Sequence, residues 1–527
     1  MSDRGEPLYS IRPRSPVEYE LTRRRFLELV AASAAVGCTT GCSQSPPEKI
    51  LPYVRQPLDV LPSLPTAYAT ALAIDGFATG LVAQTREGRP IKIEGNPDHP
   101  SSLGATSAFH QASVLQLYDP DRASAVLKRG GPASWDDLLT ALQGAAGTRG
   151  EGLRLLLEPT SSPHAHALIA EVKRRYPAAR VTFYAPLHTP APEQASAALF
   201  GRSLAPIYDL TRAQCIVALD SDFLHSPHNL RYAREFAGRR RIAEASGEMN
   251  RLYAIEAALS VTGSMADHRL ARASGRVSTL CAALAVAILP GGSFASRELA
   301  ALSGRLDATE RRFCEALVRD LRARPAGTTL LVPGPRQTSE VHVLAHALNA
   351  ALGNLGQTVR FIEPVLPPGD GDQPLLELVT EMHAGRVAAL LVLGGNPAYD
   401  APADLDWSSA VRRVATSVYS GLYRNETARA CQWFGPAAHA FEAWGDARAE
   451  DGTWTLQQPL IRPLTGGRTQ TELLAALAQL PALGDHARLR GRFGAEQGEA
   501  LDPGASAAER SAREDPEVTR RWQQLLA

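Results

Sequence analysis

The residues best suited to hold a redox metal are six cysteines: Cys38, Cys42, Cys215, Cys281, Cys314 and Cys431. A cubane iron–sulfur cluster needs four thiolates converging on one small volume, which shows in sequence as close spacing. A structural zinc site likewise favours close pairs. The one close pair, Cys38 and Cys42, falls in a targeting segment, and the other four are scattered, so they read as small buried hydrophobes. His342 and His346 stand four apart in a helical pattern, the spacing of a two-histidine metal pair. A zinc hydrolase would carry Glu after the first histidine, and Val343 is there instead. These two, with His99, His110, His268 and His439, are expected to be partly buried and hydrogen-bonded to neighbours. The serines form no nucleophile elbow of the G-x-S-x-G kind. Two short motifs sit where open α/β sheets bind ligands, at the carboxyl ends of strands. One is Asp220-Ser221-Asp222; the other is Gly394-Gly395-Asn396-Pro397. For the two aspartates, turn formation and loop capping is the favoured reading.

The elements that must position these residues follow from hydrophobic pattern and punctuation. Residues 49–125 form a small β-rich unit. In it Leu81 to Gln84 and Pro90 to Glu94 pair as a hairpin across Glu87-Gly88, and a turn-rich loop follows from Gly95 to Pro100. From 126 the rhythm changes to strand–helix alternation. Ser134 caps a helix beginning at Trp135, Leu153 to Leu157 is a buried strand, and Ser162-Pro163 opens a helix to Tyr176. Arg180 to Tyr184 and Cys215 to Leu219 are further strands. Near-continuous apolar strands joined by helices predict a parallel sheet covered on both faces. The linear reading places a first α/β unit at 126–324 and a second at 325–484. The second holds strands at 328–332, 359–362 and 388–393 and a helix from Val341 to Leu352 stopped by Gly353. Residues 485–527, charged and rich in Ala and Gly, read as a flexible tail with a final short helix.

With 527 residues, 44% of them hydrophobic, the chain can bury a large core. The 55 basic residues balance the 55 acidic ones, and no basic run interleaved with aromatics is present, so nucleic acid is excluded as a partner. Residues 1–48 read as an address. Thr22-Arg23-Arg24-Arg25-Phe26-Leu27 precedes a short apolar stretch ending at Val36, the order of a twin-arginine export signal. That stretch is about half the roughly 20 apolar residues needed to span a bilayer. Cys42 after Thr40-Gly41 reads as a lipidation site, with Cys38 as the alternative; the polar tether Ser43 to Pro47 favours Cys42. Acyl chains there would hold the protein on the membrane surface at the periplasmic face.

The loop Gly95-Asn96-Pro97-Asp98-His99-Pro100 with Gly104, then Tyr118-Asp119-Pro120-Asp121-Arg122 and Ser134-Trp135-Asp136, resembles the opening segment of molybdopterin oxidoreductases. Asn250 to Tyr253, Ala266 to Leu270, Leu352 to Gly356, Ala443 to Arg448 and Gln457 to Leu464 extend the likeness. Together, over roughly residues 20 to 470, they resemble the large iron–sulfur/molybdopterin-like subunit of bacterial alternative complex III. The resemblance implies an α/β fold of the formate dehydrogenase and DMSO reductase kind, with domains I–III present and the C-terminal domain IV missing. It further implies a complex that oxidises membrane quinol and passes electrons to a periplasmic carrier, in which the molybdopterin-like part holds no molybdenum.

Within that resemblance the four cluster-cysteine positions fall on Leu72, Asp75, Thr79 and Ser107, none of which supplies a thiolate. Asp220 and Asp222 remain as candidate metal ligands, and Gly394, Gly395 and Asn396 as a vestigial cradle for pterin phosphates. The expectation is a structural and assembly subunit that carries no cofactor of its own. Iron–sulfur clusters and haem would lie in partners: a ferredoxin-like subunit, a multihaem cytochrome c and polytopic quinol-binding membrane subunits. Two alternatives stay open: a catalytic molybdopterin-dependent oxidoreductase with an Asp or Ser metal ligand, and a stand-alone envelope lipoprotein that serves as a binding module.

Overall fold

Strands Leu153–Leu157 and Ala389–Leu393 lie side by side, parallel and completely buried, in the interior of a seven-stranded sheet. Both are continuous apolar runs except for Arg154, the composition of a strand covered on two faces. In this computed structural model residues 61, 64–226, 230–241, 249–289, 297–367 and 371–496 are described, together with Arg520 and Trp522. The export and lipidation residues Arg23, Arg24, Cys38 and Cys42 lie outside the described residues.

The order across the seven-stranded sheet is Gly131–Ala133, Val126–Lys128, Trp433–Pro436, Thr416–Gly421, Ala389–Leu393, Leu153–Leu157, Arg180–Phe183. The last five are mutually parallel, and the first two form an antiparallel hairpin on one side. Alternation sets the two faces. Leu153, Leu155, Leu157, Leu391 and Leu393 meet helices Trp135–Ala146, Pro163–Arg175 and Gln470–Leu477, while Leu156, Leu390 and Val392 meet helices Leu375–His383 and Trp407–Val411. Arg154 does not break the core because its guanidinium pairs with Glu381 at 2.7 Å, both side chains being buried. Removing one partner of such a pair costs about 3–5 kcal/mol.

A second, four-stranded parallel sheet has the order His268–Ala271, Arg251–Glu256, Cys215–Leu219, Thr329–Pro333. Odd-numbered Cys215, Val217, Leu219 and Leu331 pack on helices Val277–Ile288, Ala308–Ala323 and Ser339–Ala351. Ile216, Ala218, Leu330 and Val332 pack on Phe223, Tyr232 and Phe236. The division of the α/β region at residues 324 and 325 is therefore corrected. Thr329–Pro333 completes the sheet begun at Cys215, and Ala389–Leu393 returns to the sheet begun at Leu153. Strand patterning identifies each strand but carries no information about which distant strand it pairs with.

The β-rich unit is a three-stranded antiparallel sheet of Thr66–Ile74, Phe77–Arg86 and Arg89–Gly95, followed by helix Ala108–Leu117. Its core of Leu81, Ala83, Ile93 and Leu117 is completed by Phe441, with Leu460 and Ile461 beside it. The flexible-tail reading is corrected for its first part. Asp485–Glu496 is a helix whose Leu489 and Phe493, one turn apart, are buried with Leu456 and Trp522 against Trp444 and Trp454. An overall charged, Ala-rich composition hid these two apolar positions.

Candidate functional site

Adjacent strands whose successors leave toward opposite sides of a sheet create a crevice at their carboxyl ends. Leu153–Leu157 is followed by Arg180–Phe183 on one side, and its neighbour Ala389–Leu393 by Thr416–Gly421 on the other. The crevice between them is formed by Glu158 and by Gly394-Gly395. Both glycines have positive φ (75° and 67°), a conformation costly for other residues. The Gly394 N–H is bonded to the Ser420 carbonyl (3.0 Å), and the Glu158 side chain lies against Gly395. A Cβ added at Gly394 would overlap Glu158 Oε2.

The Glu158 side chain is reached by solvent yet lies in a concave, low-dielectric setting. Desolvation raises its carboxyl, the nearby Gly395 amide partly offsets this, and the charges of Asp400 and Asp75 raise it further. Asp400 is raised chiefly by burial, and its Oδ1 is buried without a hydrogen-bond partner. Tyr184, whose hydroxyl donates to the Asp400 carbonyl at 2.8 Å, is pushed up to about 12 by burial and by the Asp400 charge. Asn396 turns away from the crevice: its Oδ1 accepts from the Thr427 amide and hydroxyl (3.2 and 2.8 Å), and its Nδ2 donates to Glu426 (2.7 Å).

The second sheet has an equivalent place. Asp220, at φ 55°, follows Cys215–Leu219, and Gly334 follows Thr329–Pro333. A Cβ on Gly334 would overlap the Asp220 carbonyl. Asp220 Oδ2 accepts from Ser274 Oγ (2.5 Å) and Gln337 Nε2 (2.8 Å), and Asp222 Oδ1 accepts from the Thr262 amide (2.8 Å). Nearby, Glu256 is held by Arg269 (2.5 Å) and Ser260 (2.5 Å). These carboxylates have the bonds expected of loop-fixing groups. Glu158, Asp400, Tyr184, Ser274 and Gln337 were missed in the sequence. Glu158 alone left a signal there, as the residue directly after a fully apolar strand.

Of the four cluster positions, Leu72 and Thr79 face each other as a cross-strand pair, Asp75 is in the turn between them, and Ser107 caps helix Ala108–Leu117. Leu72 packs on the apolar cluster around Leu81 and Leu117. Ser107 Oγ meets His110 Nδ1 at 2.7 Å, and burial pushes His110 down to about 4, so the ring is neutral. Among the described residues no group of three or more His, Cys, Asp or Glu side chains could hold a metal. Cys215, Cys281, Cys314 and Cys431 are buried free thiols, and burial pushes them up to about 12, 12, 11 and 12. His342 and His346 are fully buried instead of partly so, and burial pushes both down to about 4. His342 Nε2 and His346 Nδ1 have no hydrogen-bond partner.

A pterin nucleotide brings diphosphates, which call for backbone N–H groups or cations at these strand ends. Here Glu158, Asp75 and Asp400 gather at one sheet's carboxyl end, and Asp220, Asp222 and Glu256 at the other's. The Glu158 side chain already stands against the Gly394-Gly395 turn that could meet a phosphate. The residues present do not fit that group.

No protein-family model matches the chain. It is 24% identical over 447 residues to the menaquinone reductase, molybdopterin-binding-like subunit of Nitratidesulfovibrio vulgaris (strain Hildenborough), covering 76% of this chain. The alignment spans 63% of that relative, under two thirds of its length. Among solved structures, acetylene hydratase from Pelobacter acetylenicus superposes with a TM-score of 0.60 at 12% identity, over 78% of this chain and 69% of that one. The α/β fold with its parallel-sheet units is therefore molybdopterin oxidoreductase-like.

Proposed function

We propose that this chain is a non-catalytic, cofactor-free structural and assembly subunit of a membrane quinone oxidoreductase of the alternative complex III kind. The observation that carries the reading is the Glu158 carboxylate set against the Gly394-Gly395 turn, at strand ends where its charge opposes a phosphate. Leu72, Asp75, Thr79 and Ser107 support it, since they offer no thiolate for a cluster. The relative's description as a subunit of a menaquinone reductase supports a quinone-linked membrane complex. In this reading the chain is exported by Arg23 and Arg24 and anchored through Cys42. It then docks a ferredoxin-like iron–sulfur subunit, a multihaem cytochrome c and polytopic quinone-binding subunits on the periplasmic face. Its own part is to present a rigid folded surface that sets the spacing of redox centres held by others.

The test is metal, haem and pterin analysis of the native detergent-solubilised complex carrying this chain. Iron and haem in co-purifying subunits, with no molybdenum or pterin, is the expected result. Molybdenum near one per chain would overturn it in favour of the catalytic alternative. Recovery of the chain alone would leave the stand-alone lipoprotein.

A further inference from the structure

A cavity of about 320 Å³ opens at the amino end of the four-stranded sheet, the end opposite to Asp220 and Gly334. There the Gln214 N–H donates to the Thr328 carbonyl (2.7 Å), just before strands Cys215–Leu219 and Thr329–Pro333 begin. The walls are the antiparallel pair Ala205–Tyr208 and Val359–Ile362, the turns at 209–212 and 356–357, and helix Arg231–Gly238. Backbone bonds fix this frame. The Tyr208 N–H donates to Tyr232 Oη (2.9 Å), the Leu210 N–H to Glu235 (3.0 Å) and the Asp209 N–H to the Thr358 carbonyl (2.9 Å), while the Tyr208 carbonyl accepts from Arg231 (3.1 Å). Three arginines line the cavity against two carboxylates, and both carboxylates are engaged. Glu235 pairs with Arg231 (3.0 Å), which also reaches Asp451 (3.5 Å). Asp209 accepts from the Thr211 amide (3.0 Å) and hydroxyl. That leaves Arg212 and Arg360, both exposed, and among the described residues neither makes a hydrogen bond or ion pair. A guanidinium keeps its charge at any ordinary pH and offers forked N–H donors that match a carboxylate or phosphate. Two such groups at one cavity repel each other, and a shared anion turns that repulsion into attraction.

We propose that this cavity binds a small molecule bearing a phosphate or carboxylate group, held between Arg212 and Arg360. Gln357, on the same rim, is a further donor, and Ile207 and Tyr208 form the floor against which the rest of the ligand lies. The volume is at the lower end of the range for small-molecule sites, about 300–1,000 Å³, and suits a compact metabolite. Arg231 is a positioning residue: spent on Glu235, Asp451 and the Tyr208 carbonyl, it holds the wall and leaves the anion to the other two. The site is independent of the quinone-linked reading, since it needs neither a redox partner nor any residue of the carboxyl-end crevices.

The experiment is titration calorimetry of the purified full-length chain with inorganic pyrophosphate and with succinate, at ionic strength matched with sodium chloride. Wild type is expected to bind at least one of them saturably, one per chain. Binding of pyrophosphate alone assigns the site to phosphate esters, and binding of succinate alone assigns it to carboxylates. Arg212→Gln and Arg360→Gln are each expected to weaken binding by about tenfold or more, and the double variant to abolish it. Arg174→Gln, which removes an exposed arginine from a helix of the other sheet, is expected to change nothing. Melting temperatures without anion show that each variant is folded. Should a glutamine variant fail to fold, Arg212→Lys and Arg360→Lys, which keep the charge and lose the fork, carry the same comparison. Wild type that binds neither anion would overturn the proposal. So would binding that survives the double variant, or that falls as far in Arg174→Gln.

Discussion

Arg122 and Glu442, 320 positions apart in sequence, meet in a two-pronged ion pair closed to solvent: Nη1 to Oε1 at 2.9 Å and Nη2 to Oε2 at 2.6 Å. Arg122 also donates to the Leu117 carbonyl, and Glu442 accepts from the Leu464 and His439 amides. The pair bolts the β-rich unit to the segment that returns to it. Burial pushes the Glu442 carboxyl up, but the Arg122 bonds and the two amides outweigh this and leave it below the usual range. Arg122→Met is expected to cost about 3–5 kcal/mol in urea unfolding, because it strands a buried carboxylate. Arg122→Met with Glu442→Leu should cost clearly less than the sum of the two single changes.

Acid should destabilise the protein well before ordinary carboxylates protonate. His110, His342, His346 and His439 are pushed down to about 4 by burial. Between about pH 6.5 and 4 the unfolded chain binds protons at these rings that the folded chain does not. Folding stability therefore falls as pH is lowered through that window. Each ring contributes at most about 1.4 kcal/mol per pH unit. Below it, loss of the depressed carboxylates Glu442 and Glu381 adds to the fall. Urea midpoints at pH 7.5, 6.5, 5.5 and 4.5 check this. A midpoint unchanged down to pH 5 would contradict it.

Gly394→Ala meets two obstacles, the positive φ and the Glu158 oxygen. The backbone part alone is worth about 1–3 kcal/mol. In Glu158→Ala the steric part disappears and the backbone part stays, so the cost of Gly394→Ala should shrink without vanishing. A double-mutant cycle by thermal unfolding measures the difference.

Phe493→Ala should cost about 3–5 kcal/mol, a large effect for a residue in a segment that composition reads as a tail. Its ring lies 6.0 Å from Trp454 and 5.4 Å from Trp522, centroid to centroid. Tryptophan fluorescence during denaturant unfolding should report a lower midpoint and an altered native spectrum.

The elements were legible in the sequence because they obey local rules. Ser134 does cap Trp135–Ala146, in a reciprocal box with Asp137, and Ser162 caps a helix opened by Pro163. The apolar runs at 153, 215, 329 and 389 are all strands. Pairing was not legible, since nothing local to Ala389–Leu393 says that its neighbour is Leu153–Leu157. The crevice was half legible: Gly394-Gly395 announces a turn needing left-handed backbone, but that it lies beside Glu158 depends on the same long-range pairing. The helix at 485 escaped because two large apolar residues in twelve scarcely change average composition.

The return of Ala389–Leu393 to Leu153–Leu157 has a consequence for the timing of synthesis. This strand pair cannot close until more than two hundred further residues have left the ribosome, a wait on the order of 10–45 s at ordinary elongation rates. During that interval the Leu153–Leu157 strand has an unsatisfied apolar edge, while the four-stranded sheet between the two halves can be completed as soon as Thr329–Pro333 emerges. The nascent chain therefore carries a sticky, half-built sheet around an already folded insert, and a chaperone that shields exposed apolar segments would be needed most in that window.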